Sequence, residues 1–222
     1  STMFSVNLDL LNRAHYFRMF SLGSEVTYKF QPAKYKEYEV TPFSLTYNLL
    51  NAKTSTFDSI MNANPGLKLS LSNKFIPAQK FTYTYDNTGN KAKRNHLWWS
   101  AQIKSAGNIT SLAYKIFGQS FNKQKDIMGN PFAQFLKATG EIRYDMKISN
   151  TERLVSRLFG GAIYSYGNAT VAPYSEQFYI GGANSLRAFT IRSIGPGRSR
   201  PAGTAYSGRG HTRYLTLAAH TD

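Results

Sequence analysis

The 222-residue chain contains no cysteine. That excludes a disulfide framework and any thiolate metal site, and it fits an oxidising compartment in which stray thiols are avoided. Acidic side chains are scarce: 12 Asp and Glu stand against 27 Lys and Arg, a formal net charge of +15. No run of about 18 apolar residues occurs, which excludes a membrane-spanning helix. No signal peptide begins at Ser1, so a membrane reading implies that the chain starts inside a longer precursor. The four histidines, His15, His96, His211 and His220, are far apart and lack metal-ligand spacing. There is no Gly-x-Ser-x-Gly nucleophile elbow and no phosphate-binding glycine loop. The expectation is no catalytic residue, no metal and no cofactor.

A basic excess of this size often marks a nucleic-acid or anionic-surface partner. Here the basic residues are scattered, and only Lys91-Ala92-Lys93-Arg94 and Arg198-Ser199-Arg200 form small clusters. No RNA-binding aromatic signature or zinc finger accompanies them. They read as a solvated face, with no nucleic-acid partner. Glu141 and Asp145 share a strand face with Arg143 between them. They read as solvated charges of a barrel interior rather than as a catalytic acid pair.

What is plentiful is aromatic and turn-forming. The chain carries 15 Tyr and 15 Phe, and Asn, Ser, Thr and Gly recur between apolar stretches, which is β-type composition. The dominant pattern is alternation. Val26, Tyr28 and Phe30 alternate with Glu25, Thr27 and Lys29. Phe43, Leu45, Tyr47 and Leu49 alternate with Ser44, Thr46 and Asn48, and the same rhythm runs through Phe81 to Tyr85, Trp99 to Lys104 and Ile142 to Ile148. A period of two sends one set to each face of a sheet.

Strands are expected at about 2–10, 15–31, 37–50, 74–86, 95–106, 133–149 and 152–167. Alternation alone suits a soluble sandwich or a membrane barrel. Two features favour the barrel. The strands run to about ten residues or more, where soluble strands run to about five or six. Aromatics gather near strand ends, as in an interfacial belt: Trp98-Trp99, Tyr164 and Tyr166, Phe178-Tyr179. Short links (31–36, 86–94, 149–151) also alternate with long ones (52–66, 107–130). A short helix over 108–117, capped by Asn108 or Thr110, is expected within the second long link.

The least generic stretch runs from Gln177 to Phe189 and on to Ile194-Gly195-Pro196-Gly197. It reads Phe178-Tyr179-Ile180-Gly181-Gly182, then Leu186-Arg187-Ala188-Phe189, then Ile194-Gly195-Pro196. This resembles the long-loop motif of the BamA/TamA outer-membrane assembly proteins: aromatic-x-x-Gly-Gly, Val-Arg-Gly-Phe, Ile-Gly-Pro. Leu186 replaces the usual valine or isoleucine, and Ala188 replaces a glycine. Asn130-Pro131-Phe132-Ala133-Gln134-Phe135 and Gly160 to Asn168 are also family-like.

The resemblance implies an all-β, transmembrane antiparallel β-barrel of the outer-membrane type, with only part of the barrel present. Family barrels have sixteen strands and follow periplasmic repeat domains. Residues 1–197 would supply barrel strands and the long inserted loop. Residues 198–222 read as a tail that does not match the family, disordered or aberrant, without clear strands. The implied role is insertion, assembly or translocation of proteins at the bacterial outer membrane, without catalysis. The implied partners are outer-membrane lipids, unfolded outer-membrane client proteins and assembly-complex subunits. The loop residues implied to matter are Gly181, Gly182, Leu186, Arg187, Phe189, Gly195 and Pro196. Arg187 would reach into the barrel toward acidic groups on later strands. From the residues alone, a passive porin or uptake barrel with a cationic lumen is the alternative.

Overall fold

The computed structural model describes residues 1–13, 16–63, 65–90, 94–117, 125–182, 187–189 and 218–221. Each of the seven stretches that alternate in sequence forms a strand. In chain order the elements are β1 (Thr2–Arg13), β2 (Phe17–Ala33), β3 (Lys36–Lys53), α1 (Ser55–Ala63), α2 (Pro65–Leu71), β4 (Lys74–Asp86) and β5 (Asn95–Ala106). There follow α3 (Asn108–Ile116), β6 (Asp126–Ile127), β7 (Asn130–Pro131), β8 (Phe135–Lys147), β9 (Arg153–Ser165), a 3-10 turn (Tyr174–Glu176) and β10 (Ala218–Thr221). The main sheet is antiparallel, in the order β1-β2-β3-β4-β5-β8-β9-β10. It does not close on itself, so β1 and β10 are its edges. This is an all-β, partial barrel of the outer-membrane type.

The alternation sorts side chains as expected. Tyr28, Phe30, Phe43, Phe81, Ile103, Ile142 and Tyr144 stand exposed on the outer face, while Thr27, Thr41, Ser44, Asn48 and Thr82 are buried on the inner one. A bulge between Thr41 and Ser44 keeps both residues facing inward, and the Thr41 hydroxyl bonds that of Thr27 at 2.8 Å.

Near the short-turn end of the outer face, Phe30, Tyr38, Tyr83 and Trp99 link four consecutive strands. Their ring centroids lie 5.3, 4.9 and 4.8 Å apart in turn. This is the geometry of an aromatic girdle. Two residues expected in the belt do not belong to it. Trp98 lies opposite Arg143 on the inner face, with the guanidinium 4.6 Å above its ring. Phe178 packs on the inner side of β9. In both cases a neighbour in sequence points the other way, Trp99 half-buried in the outer row and Tyr179 exposed, because adjacent residues of an extended chain point opposite ways.

The connections 34–35, 87–94 and 148–152 meet at one end of the sheet. The strand ends that lead into the long ones, 54–73, 107–134 and 166–217, lie at the other. The first long connection reads as a plain loop in sequence but folds into α1 and α2. Thr54 starts α1, its hydroxyl accepting from the Phe57 N–H at 3.3 Å, and Pro65 opens α2, where its missing N–H costs nothing. Their apolar residues Phe57, Met61, Leu67 and Leu71 bury against Phe17, Met19 and Tyr174.

The expected third helix is present, but neither Asn108 nor Thr110 caps it. The cap is Gly107, in a left-handed conformation (φ 72°) without a side-chain cap bond. A Cβ on Gly107 would overlap the Ala133 carbonyl. Within the segment that shows no clear strand in sequence, β10 pairs with β9, Ala218 opposite Phe159 and Thr221 opposite Ser156.

Candidate functional site

The inner face of the sheet is crossed near its long-loop end by residues 172–178. Pro173 holds the chain extended before the 3-10 turn (φ −53°, ψ 143°), and Gln177 steadies the turn by donating to the Ala172 carbonyl at 3.0 Å. Tyr174 is buried and meets Phe17 of β2 edge-on, with ring centroids 5.9 Å apart. The Ser175 hydroxyl accepts from the Asn48 amide of β3 at 2.8 Å.

Glu176 then reaches β5 and β8. Its carboxylate pairs with Lys104, and with Lys137 at 3.2 Å; Lys137 also donates to the Glu176 carbonyl at 2.8 Å. Lys104 and Lys137 lie directly opposite each other in the ladder, a like-charge arrangement that is unfavourable without an intervening anion. The Glu176 side chain is only 13% exposed. Burial pushes its carboxyl pKa up, but the two ammonium groups outweigh that and hold it below the ordinary value.

Phe178 completes the crossing on β9. Its ring lies against Gly161, where a Cβ would come within 2.6 Å of Cε1. Phe159 meets it edge-on at 6.2 Å, and the Lys137 ammonium sits 5.0 Å from its centroid. Residues 172–178 therefore form a strap touching β2, β3, β5, β8 and β9.

The strap springs from a tightly bonded base. The Asn168 amide donates to the carbonyls of Lys125 (2.8 Å) and Phe132 (3.0 Å) and accepts from the Lys125 N–H (2.6 Å). The Asn168 N–H donates to Gln134 Oε1 at 2.9 Å. Gln134 in turn donates to Asn108, which also accepts from the Tyr166 hydroxyl at 2.8 Å. Gly167 (φ 61°) lets the chain pass beside Gln134; a Cβ there would stand 2.8 Å from Cδ. The sequence stretches Asn130–Phe135 and Gly160–Asn168 thus meet in space.

Beyond the strap, Gly181 (φ 102°) and Gly182 (φ 93°) adopt backbone angles that side chains disfavour. The Gly182 N–H donates to the Phe189 carbonyl at 2.9 Å, which brings Gly182 next to the Arg187–Phe189 turn. Arg187 and Phe189 are exposed. Leu186, Gly195 and Pro196 lie outside the described residues.

Glu141 pairs with Arg143 (2.5 Å) and Arg157 (2.7 Å), and Asp145 pairs with Arg153 (3.6 Å). Each carboxylate is thus engaged by guanidinium groups on the inner face. Among the described residues no group of three His, Asp or Glu could hold a metal ion.

Sequence reasoning missed Glu176, its two lysines and the seat at Gly161. Two signals were available. Glu176 is a rare acid near the end of a basic chain, and Gly160-Gly161 interrupts a strand where glycine weakens packing unless another group needs the space.

Long antiparallel strands, an aromatic outer face, an ion-paired inner face and a loop strapped across it together define a barrel of the outer-membrane type. The family model of the Omp85 superfamily domain matches residues 2–212, and the chain belongs to the Omp85 superfamily. Its members insert or translocate proteins at outer membranes, working with client and partner proteins and not as enzymes. No curated protein matches the chain.

Proposed function

We propose that this chain is the loop-bearing part of a BamA/TamA-type barrel that assembles client proteins in the outer membrane of a Gram-negative cell. The observation that supports this reading is the strap: Glu176 between Lys104 and Lys137, and Phe178 on Gly161. It holds the residues just before Gly181 against the barrel wall, so the segment that leads into the loop is anchored on the inner face. The clients are unfolded outer-membrane proteins, which join by edge pairing with strands. Outer-membrane lipids and assembly-complex subunits are the other partners.

The cationic-lumen porin reading rests on the inner-face lysines. Lys104 and Lys137 share Glu176, and Lys80 pairs with Glu25 at 3.4 Å. Neutralised lysines under a strap make a poor anion path, which favours the assembly reading.

The test uses the full-length protein carrying Arg187→Ala, Arg187→Lys or Phe178→Ala. Protease accessibility of the loop and outer-membrane protein levels are measured together. Increased cleavage with reduced client levels is the expected result; lysine lacks the planar fork of arginine and should not restore function. Altered anion conductance with client levels intact would replace the assembly reading with the porin one.

A further inference from the structure

Helix α3 presents its apolar side away from the protein. Ile109, Leu112 and Ile116 recur at the spacing of one helical face, and with Phe117 they are 59%, 56%, 72% and 82% exposed. No residue of this helix is buried. The face turned toward the protein is the more polar one. Tyr114 donates its hydroxyl to the Asp126 carbonyl at 2.9 Å and stacks on Phe132 with centroids 6.0 Å apart, while Thr110 and Ser111 are half-buried. An amphipathic helix in water would take the opposite orientation.

The position of the helix identifies what covers that face. Asn108, its first residue, bonds Ser105 at 2.7 Å and Tyr166 at 2.8 Å. Ser105 follows Ile103 on the outer row of β5. Tyr166 continues the row of Tyr164, with which it stacks at 5.8 Å. Ile103, Leu136 and Tyr164 are exposed on the outer face next to this point. The apolar side of α3 is therefore continuous with the outer apolar band of the barrel. β5 and β8 are interior strands of the sheet, so strands added at its edges would not fall on this helix.

We propose that α3 is an interfacial helix, lying in the bilayer surface at the long-loop end with Ile109, Leu112, Ile116 and Phe117 among the acyl chains. The ligand is the lipid surface itself. Lys115 flanks the apolar face and can extend its ammonium to the headgroups, as long basic side chains do at such boundaries. This inference rests on the reading that the outer face of the sheet is in lipid.

The test places single spin labels by Leu112→Cys, Ile116→Cys, Ile103→Cys and Thr88→Cys in a cysteine-free, full-length protein in phosphatidylcholine bilayers. Collisions with oxygen and with a water-soluble nickel chelate are compared. Labels at 112 and 116 should favour oxygen several-fold, as 103 does, while 88 in a short turn favours nickel. If 103 favours oxygen but 112 and 116 behave like 88, the helix lies in water and the inference falls alone. Shielding of 112 and 116 from both reagents would mean a protein cover, such as a second copy, and overturns it equally. Nickel preference at 103 removes the membrane orientation and this inference with it.

Discussion

Phe178 occupies the space that a side chain at position 161 would need: a Cβ on Gly161 would lie within 2.6 Å of the phenyl Cε1. One residue of the loop and one residue of the wall are thus matched by shape, far apart in sequence.

Gly161→Val should expel Phe178 and loosen the strap. Overpacking of this kind costs about 1–3 kcal/mol, and trypsin or chymotrypsin cleavage after 178 should accelerate. The double variant with Phe178→Ala should recover part of the loss, since the two sites share one space. Additive losses in the double variant would show that the contact does not hold the strap.

Glu176→Gln leaves Lys104 and Lys137 opposite each other without a counter-charge. The cost should fall between the roughly 1 kcal/mol of an exposed pair and the roughly 3–5 kcal/mol of a buried one. Unfolding of the detergent-solubilised or reconstituted full-length protein in urea measures it.

The same carboxylate gives the strap an acid dependence. Its folded pKa is depressed below the ordinary 4.5. The stabilisation is therefore fully present above that value, and it is lost as pH falls through the lower folded value. Loop proteolysis by an acid-stable protease should rise over that acidic range in the native protein. It should be high and less pH-dependent in Glu176→Gln.

Arginine scanning of the outer face should show a depth profile. Ile103 stands opposite Phe81 and Ala138, four residues along β5 from Trp99 of the girdle, whereas Met146 is one residue from the end of β8. Ile103→Arg should cost about 2–4 kcal/mol and Met146→Arg about 0–1 kcal/mol, as for lipid-facing positions at mid-depth and near an interface. Equal, small effects at both positions would argue that this face is in water.

Gly181→Ala and Gly182→Ala each place a Cβ on a backbone with φ near 100°. Strain of this kind costs on the order of 1–3 kcal/mol. The predicted effect is confined to the loop, so cleavage within 183–190 should rise while heat resistance of the barrel stays near that of the native protein.

The strands were legible because one rule, residue i against residue i+1, decides which side chain meets lipid and which meets the interior, and Val26 to Phe30 or Ile142 to Lys147 obey it without exception. The helices α1 and α2 were not, since 52–66 lacks a long periodic pattern and the pair is stabilised by Phe17, Met19 and Tyr174 from elsewhere. The cap of α3 was misassigned because Asn108 is drawn into bonds with Ser105, Gln134 and Tyr166, leaving Gly107 to make the turn. The loop motif begins inside the strap at Phe178, but the attachment of that segment depends on Lys104 and Lys137, whose role exists only once two strands place them side by side.

A strap that touches both β2 and β9 acts on the sheet as a bowstring acts on a bow. From Tyr174 to Phe178 the backbone can span at most about 14 Å, and the rings of Tyr174, Phe17 and Phe178 complete the reach from β2 to β9. The strap thus ties the separation of these two strands across the lumen to the seating of two aromatic rings. Releasing Glu176 or Phe178 would free that distance.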